Sequence, residues 1–264
     1  MTLSARAGFV EAVDAWRVTP TGRTEPACTA SALRPENPQT TASGMDSMMT
    51  RPGILVTIDG PGGVGKSVTV TATADYLNSV AVAPYVTRQP SSGVLGDYIR
   101  KTTDTYRGMA LANLVAAERH YQQDTEIEPR LAEGRVVLCD RGLPSSLVLQ
   151  GIDGVSTDTV WALNSGIRIP DASVFLRADP KVITDRMRQR GGPHGRFEQI
   201  PDYAALETAL FDSVAEDLTR RGWAVHTIEC TELEPRETAI MVANLIVPLL
   251  GDEHAYTASD RSPA

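Results

Sequence analysis

The chain has 264 residues, with 33 acidic against 25 basic side chains and a formal net charge of −8. That balance argues against a general nucleic-acid binder, while leaving room for a local basic pocket around one phosphorylated small molecule. Apolar residues make up 42% and charged residues 22%, the composition of a globular protein, and the length suits one α/β domain with a tail or two small domains. The three cysteines, Cys28, Cys139 and Cys230, are odd in number and form no CxxC pair. A disulfide framework and a structural zinc site are therefore not expected, and a reducing, cytoplasmic location is.

Residues 1–10 contain no apolar core of a secretory signal. Residues 4–17 have the spacing of a short amphipathic helix, with Phe9, Val10, Val13 and Trp16 on one side. Residues 19–50 are rich in Thr, Ser, Pro, Ala and Gly and cannot bury enough apolar surface to offset their ordering entropy. Residues 1–50 are thus read as a disordered or dispensable leader, with a start at Met45, Met48 or Met49 as one expectation and a docking arm as its rival.

From Gly53 onward, β-rich apolar runs alternate with helical spacing. Strands are expected at residues 54–58, 84–87, 136–139, 172–176 and 224–228. Helices are expected at 67–80, at 110–133 with an interruption near Pro129, at 180–190, at 203–221 and near the C-terminus. Runs of this kind indicate a parallel sheet covered on both faces, here a three-layer α/β/α sandwich with a parallel five-stranded sheet spanning residues 51–251. Residues 252–264 are polar and read as a flexible tail. The apolar stretch 240–250 carries Asn244 and Pro248 and is too short to span a membrane.

The first strand runs into Gly60-Pro61-Gly62-Gly63-Val64-Gly65-Lys66-Ser67, a full GxxxxGK[ST] phosphate loop between a strand and a helix. Its glycines let successive N–H groups curl toward phosphate oxygens, and the helix N-terminus adds positive potential. Lys66 is expected to reach the β- and γ-phosphates of ATP, and the Ser67 hydroxyl to ligate Mg²⁺. No NKxD guanine-recognition motif follows. The strand at 136–139 ends in Asp140-Arg141. An aspartate there can orient Mg²⁺ or its waters, and an arginine beside it can face a second anion. A phosphate acceptor held opposite ATP is a kinase arrangement; Asp140-Arg141 alone would be an ordinary surface ion pair.

Other cations sit at element ends. Arg88 follows the second strand, on the ligand edge of an open α/β sheet, where its fork suits phosphate. Arg119, in Ala117-Glu118-Arg119, has a solvated Glu–Arg face as its plain reading. Residues 186–198 are arginine-dense and then glycine-rich. They read as a mobile lid whose arginines close over the transferring phosphoryl group, or else as a solvated helix end.

Several ordered blocks beyond the phosphate loop resemble the thymidylate kinases, a family of nucleoside monophosphate kinases. They are Thr87-Arg88-Gln89-Pro90 with Leu95-Gly96-Asp97-Tyr98-Ile99-Arg100, then Ala117-Glu118-Arg119, then Asp140-Arg141 with Ser145-Ser146-Leu147 and Gln150-Gly151. Pro170-Asp171, Asp179-Pro180, Arg190-Gly191 and Arg196-Phe197-Glu198 follow. The resemblance runs from about residue 54 to residue 250. It implies a homodimer that transfers the γ-phosphoryl group of ATP to dTMP with Mg²⁺, without nucleic-acid or membrane partners. It implies that Arg88 and Arg141 hold the acceptor phosphate, that Asp140 organises the metal and that Arg119 faces the base. Gln150 would line the base and sugar pocket, and Arg190 and Arg196 would belong to the lid. Four positions depart from the family pattern: Gly62 replaces an acidic residue, Val115 an aromatic, and Gly142 and Leu149 tyrosines. The phosphate-transfer parts are thus intact and the base and sugar parts altered. A shifted acceptor, either another pyrimidine nucleotide or a specialised metabolite, and an ATP-binding regulator without transfer are the two alternatives.

Overall fold

The computed structural model describes residues 53–192 and 195–251. The expectations for residues 1–50 and 252–264 lie outside the described residues.

Each of the expected strands forms. They are β1 (Ile54–Asp59), β2 (Tyr85–Arg88), β3 (Val136–Asp140), β4 (Ala172–Arg177) and β5 (Val225–Glu229). The sheet is wholly parallel, in the order β2-β3-β1-β4-β5. Every residue of β1 is buried, because helices cover both faces of the central strand. Ile54, Val56 and Ile58 join one core with Val70, Ala74 and Leu77 of α1 (Lys66–Ser79) and Val242, Ala243 and Ile246 of α9 (Pro235–Ile246). Leu55 points the other way and joins Val137, Cys139, Ile127 and Leu131.

The strands end slightly later than their apolar runs, and those extra residues are the polar ones that reach the sheet's C-terminal edge. Pairing sets Arg88 level with Asp140, and Asp140 level with Ile58. Arg88 and Asp140, separated widely in sequence, therefore stand on adjacent strand ends where open α/β sheets bind ligands.

Helix α1 is a case where packing overrides local preference. Its Val68-Thr69-Val70-Thr71 segment is β-branched and alternating, a strand-like composition. Yet the buried positions are Lys66, Thr69, Val70, Thr73, Ala74 and Leu77, the spacing of one helical face. The long helix expected over 110–133 is α3 (Gly108–Gln122), a π turn at Gln123–Ile127, and a short α4 (Glu128–Ala132). The irregularity precedes Pro129, which sits comfortably in the first turn of α4. The π turn presents Glu126 to β2, where it accepts hydrogen bonds from Tyr85 Oη and Thr87 Oγ1. Three helices were not foreseen as such: α2 (Val94–Thr102), α5 (Leu143–Ile152) and α6 (Thr157–Leu163). The lid expectation falls on α7 (Pro180–Gln189) and the residues after it, and α8 (Tyr203–Arg220) follows. No described helix is long and apolar enough to cross a membrane.

Candidate active site

The phosphate loop joins β1 to α1. Gly60 and Gly63 adopt φ values of +144° and +80°, and a Cβ on Gly60 would fall 2.4 Å from the Leu176 carbonyl oxygen. Only glycine satisfies both constraints at that turn. Lys66 Nζ folds back to donate to the carbonyls of Gly60 and Pro61, each at 2.8 Å. Burial, reinforced by the Arg141 charge, lowers its pKa to about 8, against the opposing pull of Glu207, Asp140 and Asp59.

At the neighbouring strand end, Ser67 Oγ donates to Asp140 Oδ2 at 2.5 Å. Asp140 Oδ1 is buried and has no hydrogen-bond partner among the described residues. A hydroxyl beside a carboxylate with an orphaned buried oxygen fits the hard, oxygen-seeking Mg²⁺. No group of three or more His, Cys, Asp or Glu side chains placed to hold a metal occurs among the described residues. Such a pair therefore suits an ion completed by phosphate oxygens and water.

Arg141 occupies the left-handed region at φ +78°, with its N–H donating to the Ile58 carbonyl at 2.9 Å. A non-glycine residue held there costs roughly 1–3 kcal/mol and is tolerated when surrounding contacts over-determine it. Asp59 supplies part of that constraint. It is completely buried, and its Oδ1 accepts from Gly142 N (3.0 Å), Ser145 N (3.1 Å) and Ser145 Oγ (2.7 Å). It thereby caps α5 from across the sheet. Burial raises its carboxyl pKa, and the Ser145 and Gly142 hydrogen bonds oppose the shift.

Beside Asp140 opens a cavity of about 490 Å³, lined by Ser67, Arg88, Val115, Arg119, Asp140, Arg141 and Gln150. These are seven of the residues singled out from the sequence, gathered from five elements. Arg88 is exposed, and Val115 and Arg141 are half-buried. Gln150 is buried, and its Oε1 lacks a partner among the described residues. The solvated reading of Arg119 is overturned: the side chain is 4% exposed. Its guanidinium donates to Gln89 Oε1 (2.8 Å), Ser146 Oγ (2.6 Å), Gly142 O (3.4 Å) and Asn164 Oδ1. Burial lowers its pKa to about 10, so it keeps its charge at neutral pH.

Arg190 and Arg196 are not among the residues lining this cavity. Arg190 pairs with Glu198. Arg196 forms a two-pronged pair with Asp153, donates to the Thr103 carbonyl at 3.1 Å, and lies 4.0 Å over the Phe197 ring. Both guanidiniums have protein partners, because folding brings Asp153, at the C-terminal end of α5, and Glu198, in the 197–199 turn, within ion-pair reach. Phe197, beside Arg196, does line the cavity. On the other flank of the phosphate loop, a second cavity of about 420 Å³ is lined by residues including Gly63, Gly65, Val68, Arg186 and Thr238.

Sequence reasoning missed Asp59 and Glu207. Asp59 could have been noticed as a charge closing an apolar strand. Glu207 is a lone carboxylate inside the apolar run Ala204–Phe211.

The thymidylate kinase family profile matches residues 58–221. A probable thymidylate kinase from Pyrobaculum aerophilum is 34% identical over 197 residues, 73% of this chain and 95% of that protein. A thymidylate kinase from Xanthomonas euvesicatoria is 30% identical over 78% of this chain and 90% of its own length.

The chain belongs to the thymidylate kinase family.

It is accordingly an ATP-dependent nucleoside monophosphate kinase with a P-loop fold. The crystal structure of a thymidylate kinase from Ehrlichia chaffeensis superposes with a TM-score of 0.56 at 19% identity, covering 74% of this chain and all of that one. That likeness speaks for the fold.

Proposed function

We propose that this enzyme transfers the γ-phosphoryl group of ATP to dTMP, with the acceptor in the 490 Å³ cavity and the triphosphate on the Gly60–Ser67 loop. The observation that carries this reading is the convergence of Arg88 and Arg141, two cations without a described carboxylate ion pair, on the cavity that Ser67 and Asp140 open into. A cavity whose lining includes the Arg88 and Arg141 guanidiniums suits a monophosphate ester, and Val115, Leu149 and the Gln150 amide in the same lining suit a base and sugar.

The chain's own groups then divide the work. Arg88 and Arg141 hold the acceptor phosphate and neutralise its charge. Lys66 leaves the Gly60 and Pro61 carbonyls for the transferring phosphoryl oxygens. The loop amides and the N-terminus of α1 grip the β-phosphate. Ser67 and Asp140 would hold Mg²⁺, which when bound screens charge between the phosphates. In-line attack by an acceptor phosphate oxygen needs positioning and charge neutralisation rather than a strong protein base. Arg190 and Arg196 enter as lid residues, tied through Glu198 and Asp153 to the 197–199 turn and to the C-terminal end of α5. The second cavity, on the far side of Gly63 and Gly65, takes the donor nucleoside.

A homodimer is part of the same reading. Exposed Met109, Ala117 and Tyr121 follow one another along α3, and Val94 and Tyr98 are exposed on α2. Sedimentation equilibrium decides it, and a monomer at micromolar concentration refutes it. The enzyme is placed in the cytoplasm, in keeping with free, buried Cys139 and Cys230. Residues 51–251 are taken as the catalytic unit, so a chain beginning at Met49 should retain activity.

The deciding experiment is a coupled assay of ADP release over a panel of nucleoside monophosphates. Highest kcat/KM with dTMP is expected. A higher value with another acceptor would favour the shifted-acceptor alternative, to which Val115 and Leu149 in the cavity wall lend weight. ATP binding without turnover of any acceptor would favour a regulator.

A further inference from the structure

Behind the phosphate loop lies a buried carboxylate that the transfer reaction, as described, does not use. Glu207, one turn into α8, is 1% exposed, and its Oε2 accepts the Gly62 N–H at 2.7 Å. The Tyr203 hydroxyl, one helical turn earlier, also hydrogen-bonds to this carboxylate. A Cβ added to Gly62 would stand 2.9 Å from Glu198 Oε1 and 3.5 Å from Glu207 Oε2. Two carboxylates, one from the 197–199 turn and one from α8, thus converge on a single loop glycine.

This placement is costly and local packing does not call for it. Tyr203, Leu210 and Phe211 bury the same region of α8, where an apolar side chain would fit the run. Burial raises the Glu207 carboxyl pKa, and the Lys66 charge, the Gly62 N–H and the Arg141 charge hold it down. Three of the groups facing Glu207 are therefore parts of the phosphate site itself, and the Tyr203 hydroxyl, which also holds the pKa down, is the fourth.

We propose that Glu207 is a positioning residue of the phosphate loop. It removes the Gly62 amide from the anion nest and pins the outer corner of the loop to α8, so the amides from Gly63 to Ser67 stay turned toward the triphosphate. The same contact explains why position 62 carries no side chain: any acidic group there would be a third carboxylate in one small space. The inference rests on the kinase reading of the loop, and the measurement that tests it needs no turnover.

The test is equilibrium titration of ATP into the full-length protein. Glu207→Leu removes the hydrogen-bond acceptor at similar volume, and Glu207→Gln keeps an oxygen there. A buried N–H stripped of a charged partner predicts ATP binding weakened by about 10-fold or more in Glu207→Leu. Glu207→Gln should stay within about threefold of wild type. In turnover, the KM for ATP should rise in Glu207→Leu more than the KM for the acceptor. Folded Glu207→Leu with wild-type ATP affinity, or Glu207→Gln as weak as Glu207→Leu, overturns the proposal. Should Glu207→Leu not fold, Gly62→Asp decides. It should weaken ATP binding strongly in the wild-type background and recover in part when combined with Glu207→Gln; equal losses in both backgrounds overturn the idea. Wild-type protein that binds ATP but transfers no phosphate would refute the kinase reading alone, whereas Glu207→Leu binding ATP normally would refute only the role given to Glu207.

Discussion

Binding of ATP should be coupled to proton uptake at Lys66. This side chain is 6% exposed, and its ammonium meets two neutral carbonyls rather than a carboxylate. Its pKa falls to about 8, from an ordinary value of about 10.5, chiefly because burial disfavours the charged form. A triphosphate on the loop brings several negative charges within reach and should restore the pKa to its ordinary range or above. At pH 8.5 free Lys66 would be about three-quarters deprotonated and bound Lys66 fully protonated, so each ATP takes up roughly 0.8 proton. At pH 7 the same arithmetic gives roughly 0.1 proton. The phosphates of ATP are fully ionised at pH 8.5 and do not contribute. Titration calorimetry in buffers of different ionisation enthalpy measures this number directly. A corollary concerns stability. Because the folded pKa lies below the unfolded one, the unfolded chain binds more protons between about pH 8 and 10.5, so this group makes the nucleotide-free fold more stable as pH rises through that window. ATP affinity runs the opposite way and declines above pH 8. Uptake below roughly 0.2 proton at pH 8.5, or no increase from pH 7, would refute the argument.

Two further outcomes follow from the geometry. Asp140→Asn removes the charge that accepts from Ser67 and carries the orphaned oxygen, and should lower kcat by about 10² with little change in thermal stability; a kcat within threefold of wild type would refute its role. Asp153→Ala strands Arg196 beside Phe197 and the Thr103 carbonyl; breaking a pair whose side chains are only 6% and 16% exposed should cost about 3 kcal/mol in urea unfolding, and a loss below about 1 kcal/mol would show the pair to be idle.

What the linear chain could determine was everything governed by near neighbours. The phosphate loop is a contiguous pattern whose glycines, lysine and serine act within eight positions, so it announces itself before any folding. The five strands are equally local, since a strand covered on both faces must be apolar throughout. From these, the parallel α/β sheet and the ligand edge holding Arg88, Asp140 and Arg141 follow. The positions of the strands within the sheet, β2-β3-β1-β4-β5, are another matter, because they depend on which helices pack on which face. Tertiary packing alone decided that Arg119 is buried rather than solvated, that the helix irregularity is a π turn ahead of Pro129, and that Asp59 caps α5 from 83 or more residues away. It also decided that Glu207 holds Gly62 across 145 residues and that Arg196 meets Asp153. A carboxylate or guanidinium carries the same charge wherever it lies in the chain. Its role depends on partners that only chain folding brings to within 3 Å, and no sequence spacing encodes that distance.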